Sequence, residues 1–521
     1  MKRFFVVMMA AVIAVCAGPA AASDPGRSKP AVAATSTPAP APDADAVTHH
    51  TIVVNGSTLA YTARAGTITL RNDDEQPALR MFYVAYTLDG ATPENRPLTF
   101  VYNGGPGSST MWLHLGSFGP VRVAAADGGP ITGPAPAPYR IVTNDDTLLD
   151  KTDLVFIDMP TAGFGRLVAP ATPKDFYSVD KDVAAFGSFI RGYITTFGRW
   201  NSPKFLYGES YGTMRSGALV NHLQQNLGIS MTGVVLQSSY LNAGIDYIDN
   251  GPPIGGGSDW AYILYLPTEA ATAWYHKALA NSPPDLVPFL HDVEHFAMTE
   301  YADALAKGAQ LGAPEFNDVV AKLHRYTGLS EQYIRNANLR VPYWRLQNEL
   351  LRDRHSTVGR IDSRFEIPAL DRTASSPNWD PTDAAIDGPF TVAVNQYLRT
   401  DLNYDTALDY RTNVYALIGR AGGWDNTHRG NPTTNVLPDI AEAMTYNPRL
   451  RIFQASGYYD FATPYFETVY ALNHLGIVPS LQSHISYGFY PAGHMIYLES
   501  SSIRALHDDL ERWYDATLTG R

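Results

Sequence analysis

The chain has 521 residues, 45% hydrophobic and 17% charged, with a formal net charge of −12 and a single cysteine. That length and apolar content allow a large buried core. The acidic balance argues against nucleic acid or an anionic membrane surface as a partner, and one cysteine cannot form an internal disulfide.

Met1-Lys2-Arg3 opens the chain, an apolar run from Phe4 to Ala17 follows, and Ala20-Ala21-Ala22 precedes Ser23. A charged start, a short apolar stretch and small residues at a cleavage site predict a secretory signal over residues 1–22, too short for a membrane span. Cys16 raises the alternative of a lipoprotein, but Val15 fits poorly just before a lipidated cysteine, so cleavage after Ala22 is expected. It would remove the only cysteine and leave 37 basic against 51 acidic residues, a net charge of −14. The expected location is periplasmic or extracellular. No later stretch approaches 18 apolar residues, so no membrane span is expected.

Residues 23–47 are rich in Pro, Ala and Ser and read as a disordered linker. Strand patterns begin at 51–54 and continue at 67–70 and 81–86, with short connections that suggest antiparallel pairing. From about residue 98 to 240 strands alternate with helical patterns, as in a doubly wound sheet of the α/β class. Residues 97–102 read as a strand running into Asn103-Gly104-Gly105-Pro106-Gly107-Ser108-Ser109. Glycines there let backbone N–H groups point into a cavity, as an oxyanion hole requires. A phosphate loop is the competing reading, but no lysine follows at the required position.

Gly208-Glu209-Ser210-Tyr211-Gly212 carries the most chemical information. It fits the G-x-S-x-G nucleophile elbow, a tight strand-to-helix turn that lifts a serine hydroxyl above a sheet edge. Residues 204–207 read as the strand before it. Met214, Ala218, Leu219, Leu223 and Leu227 recur at helical spacing after it, until Gly228 stops the run. Residues 234–237 read as the next buried strand.

Residues 242–445 break this rhythm. A Pro/Gly-rich loop that includes 251–257 is followed by helical patterns at 269–280, 288–307, 314–324 and 437–445. The expectation is a largely helical cap inserted into a catalytic domain of residues 48–241 and 446–521. Two metal-like patterns in it are discounted. His291 and His295 have ligand spacing, but Asp292 stands where a zinc protease motif needs Glu. Asp401, Asn403 and Asp405 imitate a calcium loop, but Thr406 and Thr412 replace its Gly and Glu. No metal or cofactor is expected.

An elbow serine needs an acid and then a histidine later in the chain. Residues 451–456 read as a strand, and Gly457-Tyr458-Tyr459-Asp460 follows at its C-terminal end, where ligand-facing residues of open sheets sit. A strand-like 484–490 leads into Pro491-Ala492-Gly493-His494, before a final amphipathic helix carrying Ile503, Leu506, Leu510 and Trp513. Ser210, Asp460 and His494 are therefore the candidate triad, with Gly105 and Tyr211 as candidate oxyanion donors.

In combination these segments resemble the serine carboxypeptidase family of the α/β-hydrolase fold, and the pattern is most similar to its bacterial members. The resemblance rests on Asn103 to Gly107, Asp158-Met159-Pro160, Gly163-Phe164-Gly165, Gly208 to Gly212, Asp460 and Gly493-His494-Met495. It implies Ser210 as nucleophile, His494 as base, Asp460 as its orienter and Gly105 and Tyr211 as oxyanion donors. It also implies that Asn103 and Glu209 bind the free C-terminal carboxylate of a peptide. The chain departs from the family at Val101, where a Trp is usual, and at Ser117, where a Glu is usual; both belong to the carboxylate-recognition set. Arg215, shared with bacterial members, either supplies the missing recognition or forms a structural ion pair. The expected activity is removal of C-terminal residues through an acyl-enzyme on Ser210. An esterase or acyltransferase with the same triad is the alternative, and a non-catalytic binding protein retaining the fold is a third reading.

Overall fold

The computed structural model describes residues 45–130, 136–245 and 258–520. The segment read as a signal, the linker up to residue 44 and the Pro/Gly-rich 251–257 lie outside the described residues.

Nine principal strands form one sheet: β1 (Ala46–Val54), β2 (Ser57–Arg71), β3 (Pro77–Leu88), β4 (Leu98–Tyr102), β5 (Asp153–Ile157), β6 (Lys204–Ser210), β7 (Gly233–Ser239), β8 (Arg451–Gly457) and β9 (Ile485–Tyr490). Their spatial order is β1-β2-β3-β5-β4-β6-β7-β8-β9. The first three run antiparallel to one another and β3 is antiparallel to β5. From β5 onward every neighbouring pair is parallel. This is the α/β-hydrolase arrangement, with β1 starting at Ala46, two residues inside the range read as linker.

Composition explains the two halves. β1 alternates exposed and partly buried positions, as a strand with one wet face must, whereas β4 and β5 are buried throughout. Helices α1 (Val179–Thr196) and α2 (Tyr211–Leu227) cover one face, where Phe186, Phe189, Ile190, Leu219 and Leu223 join the core. The C-terminal helix Ser500–Thr519 covers the other through Ile503, Leu506, Leu510 and Trp513. Gly228 ends α2 in the left-handed conformation, its N–H bonded to Leu223 O.

Because β4, β6, β8 and β9 are parallel, their C-terminal ends emerge along one sheet edge. The loops carrying Asn103, Ser210, Asp460 and His494 all start there.

Helices at Leu286–Phe296, Ala313–Thr327 and Leu437–Tyr446 fall where their apolar periodicity puts them. The helix expected from 269 starts earlier and spans Trp260–Tyr275, with Pro267 inside it. A helix the sequence reading missed, α3 (Pro381–Gln396), contains Gly388 and Pro389, two residues that mark breaks locally. Described residues of 242–445 enter three separate apolar clusters. Val414, Val436 and Ile440 join the α1/α2 side of the sheet, Phe365, Phe390 and Tyr397 the opposite side, and helices from Trp260 onward form the third with Tyr459, Phe461 and Tyr465. Among the described residues no helix is long and apolar enough to cross a membrane.

Candidate active site

Ser210 closes β6 at φ 62°, ψ −133°, a region a non-glycine residue enters only under constraint. Three glycines make room for the turn. A Cβ at Gly208 would lie 2.3 Å from Gly212 O, one at Gly212 2.9 Å from Tyr102 O, and one at Gly104 2.5 Å from Tyr211 N. Thr213 Oγ donates to Ser210 O at 2.7 Å and accepts from Tyr240 N at 2.8 Å, which fixes the turn from the helix side.

The same Gly104 contact shows how closely the glycine loop approaches Tyr211 N, one of the two candidate oxyanion donors. Tyr211 is the first residue of α2, so its N–H has no partner within the helix. Gly105, at φ 112°, sits in a loop packed against Tyr415 of the inserted segment. Insertion backbone also pairs with that loop, through Ser109 N to Thr412 O at 2.9 Å and Val414 N to Gly107 O at 2.8 Å. Asp158 anchors it from below: its Oδ1 accepts from Thr110 N at 2.6 Å, and burial pushes its carboxyl up to about 7. A side chain at Gly163 would occupy the place of the Asp158 carboxylate, which accounts for that glycine.

His494 Nδ1 lies 2.8 Å from Asp460 Oδ2, and both side chains are buried. With Nδ1–H donating, Nε2 is left as an acceptor. Asp460 also accepts from Ala462 N at 2.7 Å, Thr463 N at 2.9 Å and Thr463 Oγ at 2.7 Å, so the carboxylate that orients the ring also caps its own turn. Burial would lower the His494 pKa, but the adjoining Asp460 charge and hydrogen bond outweigh it and the net shift is upward.

Strand β7 ties this histidine to the elbow. The β6–β7 register skips Ser238, which sits at φ 50° and whose Oγ donates to His494 O at 2.6 Å. Its neighbour Gln237 donates to Glu209 Oε2 at 2.7 Å. Glu209 Oε1 accepts from Asn103 Nδ2 at 2.5 Å, and Asn103 Oδ1 accepts from Leu113 N at 3.0 Å. Burial pushes the Glu209 carboxyl up to about 7.

Ser210, His494, Asn103, Gly105, Glu209 and Tyr211 all line one cavity of about 560 Å³, and Asp460 lies behind His494. Val101 and Ser117 are not in its wall. Val101 is buried in the apolar layer, and Ser117 Oγ donates to Leu113 O at 2.6 Å. Arg215 is outside the cavity too. Its Nε meets Asp182 Oδ2 at 2.7 Å, one Nη donates to Asn103 O at 2.8 Å, and the guanidinium stacks 4.1 Å from the Phe186 ring centre. The alternative left open by the sequence therefore resolves toward the ion pair. His291 and His295 are exposed on their helix.

Sequence reasoning missed the contribution of residues 360–364. Ile361 O accepts from His494 N at 2.7 Å, Arg360 O from Phe461 N at 3.0 Å, and Asp362 Oδ2 from Gly493 N at 3.2 Å. Their only local signal is Asp362 and Arg364 at a spacing that allows an ion pair, here 2.6 Å.

Replacing Arg215 by Met would leave the Asp182 carboxylate buried without its cation, at a cost of about 3–5 kcal/mol in chemical denaturation. Unchanged stability combined with a raised KM would instead make Arg215 a substrate-binding residue.

A serine carboxypeptidase family profile matches residues 57–265. The pheromone-processing carboxypeptidase KEX1 of Saccharomyces cerevisiae is 32% identical over 177 residues, 30% of this chain and 22% of the yeast protein. Among solved structures, a proline iminopeptidase from Mycobacterium smegmatis aligns with 87% of this chain and 98% of its own at 13% identity and a TM-score of 0.37. An esterase from Thermogutta terrifontis aligns over the same shares at 11% identity and a TM-score of 0.31. The matched residues 57–265 include the glycine loop, the elbow and the Asn103–Glu209 pair, and they are similar to serine carboxypeptidases in sequence.

Proposed function

We propose that this chain is a serine carboxypeptidase of the bacterial type, exported by the N-terminal segment 1–22. The observation that supports it best is the shared cavity, in which a strained serine, an aspartate-held histidine and a buried Asn–Glu pair meet. Ser210 attacks the carbonyl of the last peptide bond while His494 Nε2 takes its proton. The Gly105 and Tyr211 N–H groups stabilise the oxyanion. His494 then protonates the leaving amine, Asp460 holds the imidazolium, and water hydrolyses the acyl-enzyme.

Asn103 and Glu209 provide the exopeptidase character. A peptide carboxylate cannot rest against an ionised Glu209, so binding requires the proton that burial holds there up to about pH 7. His494 opposes this, because it must be neutral to act as base while its own pKa is raised. Acid therefore favours binding and base favours the chemical step.

Ser210→Ala removes turnover, by a factor on the order of 10⁶ in kcat if it behaves as a triad nucleophile, with an unchanged melting temperature. Retention of more than about a hundredth of the wild-type rate rules the triad out.

On matched peptides, a free C-terminus is released one residue at a time and C-terminal amidation abolishes cleavage, as followed by mass spectrometry. Equal rates on both would favour an endopeptidase or general esterase.

With Glu209 ionising near 7, KM for peptides rises as pH increases through that range while kcat changes less. In Glu209→Gln the ratio of KM at about pH 8 to that at about pH 6 falls at least threefold relative to wild type. An unchanged ratio removes Glu209 from carboxylate binding.

A further inference from the structure

The Asn103–Glu209 pair brings no positive charge to the substrate carboxylate, and the residues at 101 and 117 point elsewhere. His494 has to be neutral when it acts. Among the described residues, one permanent cation lines the cavity, Arg360, from the inserted segment.

Its position is fixed from three sides. Arg360 N donates to Asp380 Oδ2 at 2.7 Å, Arg360 O accepts from Phe461 N, and the next residue accepts from His494 N. The backbone of this arginine is thus tied to the loops that carry Asp460 and His494. Arg340 and Arg364 are engaged by carboxylates, with Asp259 at 2.7 Å and Asp362 at 2.6 Å. Among the described residues, the Arg360 guanidinium has no carboxylate within 4.0 Å, and it is hydrogen-bonded to Tyr343. It keeps donors for a planar anion, and a carboxylate fits that fork in a bidentate way.

We propose that Arg360 receives the terminal carboxylate of the peptide, completing from the insertion a recognition set that Val101 and Ser117 leave short. This rests on the carboxypeptidase reading.

Asp383 and Asp387, one turn apart on α3, face the same cavity, and Asp383 competes for the guanidinium once ionised. Burial raises both carboxyls, Asp383 to about 7 with added repulsion from Asp380 and Asp387. In mildly acid solution Asp383 is largely neutral, and it leaves Arg360 free to meet the substrate. Glu209 carries its proton in the same range.

The test uses the full chain with Arg360→Gln and Arg360→Lys, peptides with free and amidated C-termini, and a fluorophosphonate that labels Ser210 without presenting a carboxylate. Loss of a charge-assisted bidentate contact raises KM for the free peptide at least tenfold in Arg360→Gln, with kcat held within about threefold. Arg360→Lys, which keeps the charge but not the fork, recovers part of that loss. A KM within about twofold of wild type overturns the assignment. So does a fall in kcat matched by an equal fall in labelling rate, because Arg360 would then act on the triad or the fold. If wild type itself cleaves free and amidated peptides equally, the carboxypeptidase reading fails and the arginine's role fails with it. Wild-type discrimination with an unaffected Arg360→Gln refutes the arginine alone.

Discussion

The backbone of Ser210 is the constraint on which the rest of the site depends. A non-glycine residue at φ 62°, ψ −133° stores on the order of 1–3 kcal/mol. The surrounding structure has to over-determine that geometry or the turn relaxes. Glycines at 104, 208 and 212 let three backbone segments close on the turn, and Thr213 holds its carbonyl from the first turn of α2. The skipped residue in the β6–β7 register belongs to the same solution. It releases Ser238 from the ladder, and the freed hydroxyl grips the carbonyl of His494. One distortion thus positions both the serine and the loop of the histidine.

Two buried carboxyls in this site are kept in different environments, and the difference suits opposite tasks. Asp460 accepts three hydrogen bonds from its own turn besides the contact with His494, an environment made for a carboxylate. Glu209 meets amide donors from Asn103 and Gln237 but no cation within ion-pair distance among the described residues, and burial favours its neutral form. Under the proposed function, an acid that keeps its proton beside an aspartate-held base lets one cavity handle both an anion and a proton transfer.

What the sequence reveals is chemistry tied to local backbone form. The elbow, the glycine loop and the Asp and His loops each follow a short apolar strand, so their placement on one sheet edge follows from the parallel order of β4, β6, β8 and β9. Helix ends were legible where glycine or periodicity marks them, as at Gly228. Legibility fails where tertiary packing overrides a local breaker. Helix α3 runs through Gly388 and Pro389 because Ile386, Phe390 and Val394 bury beneath it, and the helix at Trp260 runs through Pro267 with its apolar face in the third cluster. The support from residues 360–364 is hidden for another reason. Most of it is delivered by backbone carbonyls, which any residue type supplies, so side-chain patterns carry no trace of it.

The inserted segment also divides the labour of the site. The residues proposed for the chemistry stand at the end of β6 or on loops that leave the same sheet edge. The insertion adds Arg360, Asp383, Asp387 and Tyr415 to the cavity wall, and its backbone is tied to the site at Thr412, Val414, Arg360 and Ile361. Those ties are main-chain hydrogen bonds to the same loops that carry the histidine and the candidate oxyanion donors. A substitution at the Arg360, Asp383 or Asp387 side chain therefore changes the charge of the cavity without removing the main-chain bonds that hold those loops. A shift of the insertion backbone, by contrast, reaches the histidine directly through the single bond from His494 N to Ile361 O. Under the proposed function, side-chain changes in this segment alter selectivity, and backbone changes alter rate.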